Sequence, residues 1–403
     1  MSHAGGRRRR GDADHGHTHD LSSLSGDGAT PSPLIRNTLT GIVVLVGLCA
    51  AVAMVVLWPH GDAEKVPEGY AGERVSTTIT AIEKCPDSAD CLQATAEIDG
   101  EATDVRLPVG TGAPAFSVGD KILVNGDGAE TAAGSAEPQR SFLDFDRTTP
   151  LIWLTVLFVT AVILLSRWKG VASLVSLGVS LLAVTAFVVP ALIDGKNPLA
   201  VALTAAALIM IVAVYSSQGV NVRSSVALVG TLASLAVAGG IGAVFTQIGN
   251  FTGFSDESMK FLVAIIGDVD VSGLLLAGLI IGALGVLDDV TVTQTAAVWE
   301  ISSADPSATR PEVFAAAMRI GRAHVSATVN TLVLAYVGAS LPLLMLMAAI
   351  DASARDQILY EGVAQEVVRG LAGSLGIVAA VPITTALATL VATTTRPLEH
   401  SEV

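Results

Sequence analysis

The sequence predicts a mainly helical, polytopic membrane protein with a small β-rich domain between its first and second spans. Three observations carry that prediction. The 403 residues are 51% hydrophobic and only 15% charged, where a soluble globule carries about 25% charged residues. The mean hydropathy is +0.61. The apolar residues also collect in runs of about 18 or more, long enough to cross a bilayer as helices.

Residues 1–37 are rich in Gly, Asp, His and Arg without an apolar period, and read as a disordered tail. Arg7–Arg10 precede the apolar stretch GIVVLVGLCAAVAMVVLW at 41–58. A basic flank holds the N-terminus in the cytoplasm, so 38–58 reads as an uncleaved first transmembrane helix. HGHTH, His15–His19, offers closely spaced imidazoles but lacks cysteines at zinc spacing; it reads as solvated tail, and no metal is expected.

Residues 60–148 are polar. RVSTTITAIE (74–83) alternates and is β-branched, and VGDKILVNGD (118–127) is a strand between Gly/Asp turns. Short, punctuated strands predict a small antiparallel barrel or sandwich. Residues 60–149 hold 17 acids against 7 bases, which supplies most of the net charge of −14 and argues against nucleic acid as a partner. Cys85 and Cys91 flank PDSAD; outside the cytoplasm they would form a small-loop disulfide.

Seven further apolar runs follow within 150–394, at roughly 150–166, 170–193, 198–215, 224–247, 271–287, 325–349 and 367–393. The second and third spans meet in a tight hairpin, RWKG at 167–170. Eight spans with both termini inside place Arg167, Lys169, Arg223, Arg310, Arg319, Arg322 and Arg396 on the cytoplasmic side, leaving 395–403 as a cytoplasmic tail. The external loops then hold Lys196, Lys260 and Arg355, with Arg369 near the outer edge of the last span. SMKFLVAII (258–266) is too short to cross and reads as a surface or re-entrant helix beside the sixth span.

The candidate site is the inner end of the sixth span. Asp288 and Asp289 would sit unfavourably at a helix C-terminus. Either the helix continues through VTVTQTAAVWE, or positive charge compensates them. Continuation puts Asp288, Thr291 and Thr295 on one face and Asp289 and Thr293 on a neighbouring one. Arg322, Ser326 and Asn330 form a facing stripe on the next span, joined by Arg319. With Gln294 these residues define a hydrated, charge-balanced ion- or substrate-binding cavity. Gly278 and Gly282 predict close helix apposition. Pro342 and Pro382 interrupt the last two spans and free carbonyls, which Thr384 and Thr385 could fill. Asp268 and Asp270 read as caps, the alternative being an entry site for cations; Thr309 and Glu312 read as a capping box, and His324 as an interfacial histidine.

GLIIGALGVLDDVTVTQTAAVWE (278–300), AMRIGRAHVSATVNTLVLAYVGASLPLLM (317–345) and GSLGIVAAVPITTALA (373–388) resemble the YibE/F-like family of bacterial membrane proteins. The resemblance implies a multi-span cell-membrane protein, often described as a transporter or permease, with no substrate or catalytic residue to carry over. The expectation is a secondary transporter of a small ion or solute, not an enzyme, without cofactor. No nucleotide-binding or hydrolase fingerprint is present, and adjacent Asp288 and Asp289 diverge too far for an aspartyl dyad. The rival is a non-transporting assembly or sensory protein whose external domain binds a partner. Besides the lipid bilayer, a homo-oligomer or an external protein partner remain open associations.

Overall fold

The computed structural model describes residues 32–60, 74–84, 92–98, 100–125, 140–252, 257–267 and 269–392. The N-terminal tail with its arginines and histidines, Cys85, Cys91, Asp268 and Arg396 lie outside them.

Helix α1, Pro33–Leu57, leads into five strands: β1 Arg74–Lys84, β2 Leu92–Ile98, β3 Glu101–Leu107, β4 Lys121–Asn125 and β5 Arg140–Phe145. They close into a barrel in the order β1-β2-β3-β5-β4. All pairs are antiparallel except β3 with β5. The predicted alternation fills the barrel: Ala94, Ala96 and Ile98 of β2, Val105 and Leu107 of β3, and Ile122 and Val124 of β4 point inward. Phe116, Phe142 and Phe145 stack edge and face beside this core, with centroids 4.9–5.4 Å apart.

Asp146 joins the barrel to the second helix, α2 (Thr148–Ala183). Its carboxylate accepts the Ser76 hydroxyl of β1 and, at 2.9 Å, the Thr148 N–H that opens α2. These bonds, the Ser76 one first, hold the Asp146 carboxyl down to about 2.

After α2 the helical region continues with a π-helical turn Val184–Val188, α3 Val189–Ile193, α4 Pro198–Gln218, α5 Val222–Ile248, α6 Glu257–Ile266, α7 Val271–Ala304, α8 Arg310–Ala339, α9 Leu341–Ala349, α10 Ala354–Leu359 and α11 Glu361–Ala392. Among the described residues six helices are long and apolar enough to cross a membrane, or seven if the α8–α9 pair, bent by 56°, is one span. The sequence predicted eight. The difference lies at Thr148–Ile193, a helical run of 46 residues. Arg167 breaks it with φ 53°. A Cβ on Gly170 would stand 2.7 Å from the Val162 carbonyl oxygen, whereas eight residues of straight helix span about 12 Å. The run therefore doubles back at RWKG, and glycine at 170 leaves room for the turn.

Helices α5, α7 and α11 pack on one another at the centre, α4 and α8 flank α7, and α1 and α2 lie outside against α4. Only 11% and 17% of the most apolar windows of α1 and the 148–193 run are buried. Their outward Leu and Val side chains therefore suit lipid rather than a protein core. Glycine brings the central helices together. A Cβ on Gly230 of α5 would meet Thr384 Oγ1 of α11 at 2.5 Å, and one on Gly376 of α11 would meet Ala238 of α5 at 2.7 Å.

Candidate functional site

Helix α7 runs unbroken from Val271 to Ala304. Asp270 caps its start by accepting the Gly273 N–H at 2.9 Å. At 1.5 Å per residue its 34 residues extend about 51 Å, well beyond a hydrocarbon core of about 30 Å. Asp288 and Asp289 are therefore mid-helix, and the helix dipole does not end against them.

Asp288 is half-buried. Its Oδ1 is sealed from solvent and has no hydrogen-bond partner among the described residues. Asp289 and Thr293 are exposed. Thr291 and Thr295 are fully buried, and Gln294 nearly so. These three side chains face a polar seam among the central helices that also includes Thr231 and Ser234 of α5 and Thr384, Thr385 and Thr389 of α11. The Thr231 and Thr291 hydroxyls bond to each other. Gln294 Nε2 donates to the Ala317 carbonyl of α8 at 3.0 Å and to Thr385 Oγ1 at 2.7 Å. The Thr295 and Thr384 hydroxyls are buried without a partner among the described residues.

The predicted arginine stripe is elsewhere. Helix α8 buries a narrow line of small and apolar residues, Val313, Ala317, Gly321 and Leu332, against the bundle. Gly321 allows this approach; a Cβ there would meet Val381 and the Gln294 amide. Arg319, Arg322, Ser326 and Asn330 fall on the opposite side and are exposed. Among the described residues no ion pair joins Asp288 or Asp289 to Arg319 or Arg322. The expected charge-balanced cavity between facing stripes is thus corrected to an uncompensated acid beside a hydroxyl-rich seam. The error was one of azimuth. A step of four identifies a stripe but not the direction it faces, and here glycine and alanine make the buried side of α8.

Three smaller expectations also change. Gly278 and Gly282 do not bring two backbones together; both are exposed positions. A Cβ on Gly282 would come within 2.9 Å of the Tyr336 hydroxyl, and one on Gly278 would face the Arg369 guanidinium at 3.9 Å. Pro342 stands just past the bend at Ser340 and interrupts its span as expected, but Pro382 lies inside an unbroken α11. The Thr385 hydroxyl donates to the Val381 carbonyl at 2.6 Å instead of the one Pro382 frees. His324, on the flank of α8, is half-buried, and its Nε2 has no partner among the described residues.

Sequence reasoning missed Thr231, Ser234 and Thr389. The available signal was small and hydroxyl residues recurring along α5 at Gly230, Thr231, Ser234 and Ala238, all buried. At the other end of the same bundle, Arg369 Nη1 pairs with Glu366 at 2.5 Å, and the guanidinium lies 6.0 Å from the Tyr336 ring centroid.

Neither a curated protein nor a solved structure matches this chain. The family model described as YibE/F-like protein matches residues 154–394, which include the entire polar seam and Asp288. That match covers more than half of the chain, which therefore belongs to the YibE/F-like family.

Proposed function

We propose that the protein is a secondary transporter of a small ion or solute, in which Asp288 carries the coupling cation or proton. One observation supports this most directly: the Asp288 oxygen sealed in the helical bundle without a hydrogen bond or counter-charge. Such a carboxylate is costly to keep inside a membrane protein. Binding a proton or cation relieves the cost and releasing it restores it, which is what a coupling group must do. The buried hydroxyls and amide of Thr231, Thr291, Thr295, Thr384 and Gln294 supply neutral ligands along the same interface. In this reading the 148–193 run crosses twice, giving eight spans with both termini cytoplasmic and the barrel outside. Asp289, Thr293, Arg319, Arg322 and Asn330 then line the cytoplasmic approach, not the binding point.

The test is reconstitution of the full chain in proteoliposomes under an imposed sodium or proton gradient, with sodium-22 and an entrapped pH dye as probes. The expected result is flux in the native protein that falls to the protein-free level in Asp288→Asn, with insertion unchanged. Flux retained by Asp288→Asn would remove the role assigned to this carboxylate.

The rival reading, a sensory or assembly protein, draws on the barrel, which closes around a core of its own. Deleting residues 62–147 separates the two. A transporter with an accessory barrel keeps its flux in liposomes after the deletion.

A further inference from the structure

We infer that the cavity between the start of α5 and the second half of α7 binds a small inorganic anion of single charge, of the halide or nitrate class. The inference rests on the transport reading only in naming what would be carried; the binding itself does not need Asp288.

The cavity measures about 70 Å³, and Gln218, Asn221, Arg223, Ser224 and Ala227 line it together with Thr295 of α7. Ala227 and Thr295 each stand one helical turn from the Thr231–Thr291 contact, so the cavity closes one end of the polar seam. Thr295 is fully buried, yet its hydroxyl oxygen has no partner among the described residues. The Thr231, Thr328 and Thr385 hydroxyls each donate to the carbonyl one turn back, at 3.0, 2.9 and 2.6 Å. Thr295 makes no such bond, and its proton is left for a guest in the cavity. A buried donor without an acceptor is unfavourable, and a bound acceptor relieves it.

The charge around the cavity sets the sign of the guest. Arg223 is the charged residue in the lining. It is half-buried and forms no ion pair among the described residues. It stands in the first turn of α5, a helix of 27 residues, whose N-terminus adds positive field. Asn221 Oδ1 accepts the Ser224 N–H at 2.8 Å, while the N–H groups of Val222 and Arg223 have no acceptor among the described residues. Asp288 is seven residues from Thr295 on α7, about 10 Å along the axis, so its carboxylate does not fill the site. A cation is disfavoured by Arg223. Water would satisfy the hydroxyl but leave the guanidinium unbalanced, whereas an anion answers both. Size and charge then narrow the class. The volume is several times the ~10–15 Å³ that admits one water and far below the ~300–1,000 Å³ of an organic ligand pocket. One fixed positive charge is balanced by one negative charge.

The experiment measures binding and flux separately. Purified full-length protein in sodium gluconate is titrated with sodium chloride, bromide or nitrate, with sodium and ionic strength held constant, while its thermal midpoint is followed. The expected result is a saturable rise for at least one of the three anions. The apparent affinity should fall about tenfold or more in Arg223→Gln and in Thr295→Val, and be kept in Thr295→Ser. Valine matches threonine in shape; if Thr295→Val does not elute as one species, Arg223→Gln, at a half-buried helix start, carries the test. No saturable response to any of the three anions overturns the assignment, as does an Arg223→Gln variant that responds like the native chain. Phosphatidylglycerol added to the micelles is the control: a rise with that lipid and none with the salts would give Arg223 to a membrane headgroup and overturn the site. Asp288→Asn should bind the anion as the native chain does. Anion binding together with flux through Asp288→Asn would reject the coupling role alone. Flux that needs Asp288 without any anion response would reject this site alone.

Discussion

The two ends of the interface among α7, α8 and α11 treat charge in opposite ways. At one end Arg369 pairs with Glu366 and lies against Tyr336, each charge about three-quarters withdrawn from solvent. At the other, Asp288 has a sealed oxygen with no hydrogen bond and no ion pair among the described residues. Both are ionisable residues in segments apolar enough to span. Their surroundings rank them. A charge matched by its neighbour on the same helix gives a fixed brace, whereas an unmatched one is costly unless it is neutralised, which makes it the candidate for function. The apolar cavity of about 130 Å³ beside Glu366 and Tyr336 is consistent with a structural role at that end.

Neutralising the two acids in turn tests this contrast most severely. Asp288→Asn should lower flux about a hundredfold, close to 2.7 kcal/mol of barrier, with an unchanged thermal midpoint. Glu366→Gln should behave in the converse manner. A substitution that crowds the seam comes next. Gly230→Ala places a methyl against Thr384, so unfolding in mild detergent should show a loss of about 1–3 kcal/mol. Arg369→Gln, which strands a partly solvated Glu366, should cost about 1–2 kcal/mol, and pairing it with Glu366→Gln should recover part of that. If the double variant is no better than the single, the brace is not a brace. Far from both ends, Thr309→Ala removes the capping box with Glu312 at the start of α8 and should cost about 1 kcal/mol.

The smallest effect concerns pH and the joint between barrel and bundle. The Asp146 carboxyl is held at about 2, below the usual 3.8. A depressed acid contributes its full stabilisation above the unfolded value and loses it as pH falls through the folded one. The joint should therefore be unaffected down to about pH 4 and loosen toward pH 2. Proteolysis near residue 147 across that range would show it, and Asp146→Asn should abolish the dependence.

Patterns local to one element were legible from the sequence. The 74–83 alternation became β1, the short run at 258–266 became α6, and Thr309 with Glu312 formed the expected box. Each depends on residues a few positions apart. The site was half legible. Asp288, Thr291 and Gln294 follow from one helix and its period, but their partners Thr231 and Thr385 stand 60 and 91 residues away. No periodicity encodes that meeting. The outward turn of Arg319 and Arg322 was hidden for a related reason. In lipid, small residues such as Gly321 mark the packed face of a helix, and their low hydrophobicity makes that face easy to misread.

The order β1-β2-β3-β5-β4 returns to its starting strand, so every strand of the barrel has a neighbour on both sides. The closure is narrowest between β3 and β5, which pair only at Val105 with Arg140 and Arg106 with Ser141; elsewhere little of the ladder among the described strands is open to an added strand. The same closure leaves the described strands few free edges for edge-to-edge self-association.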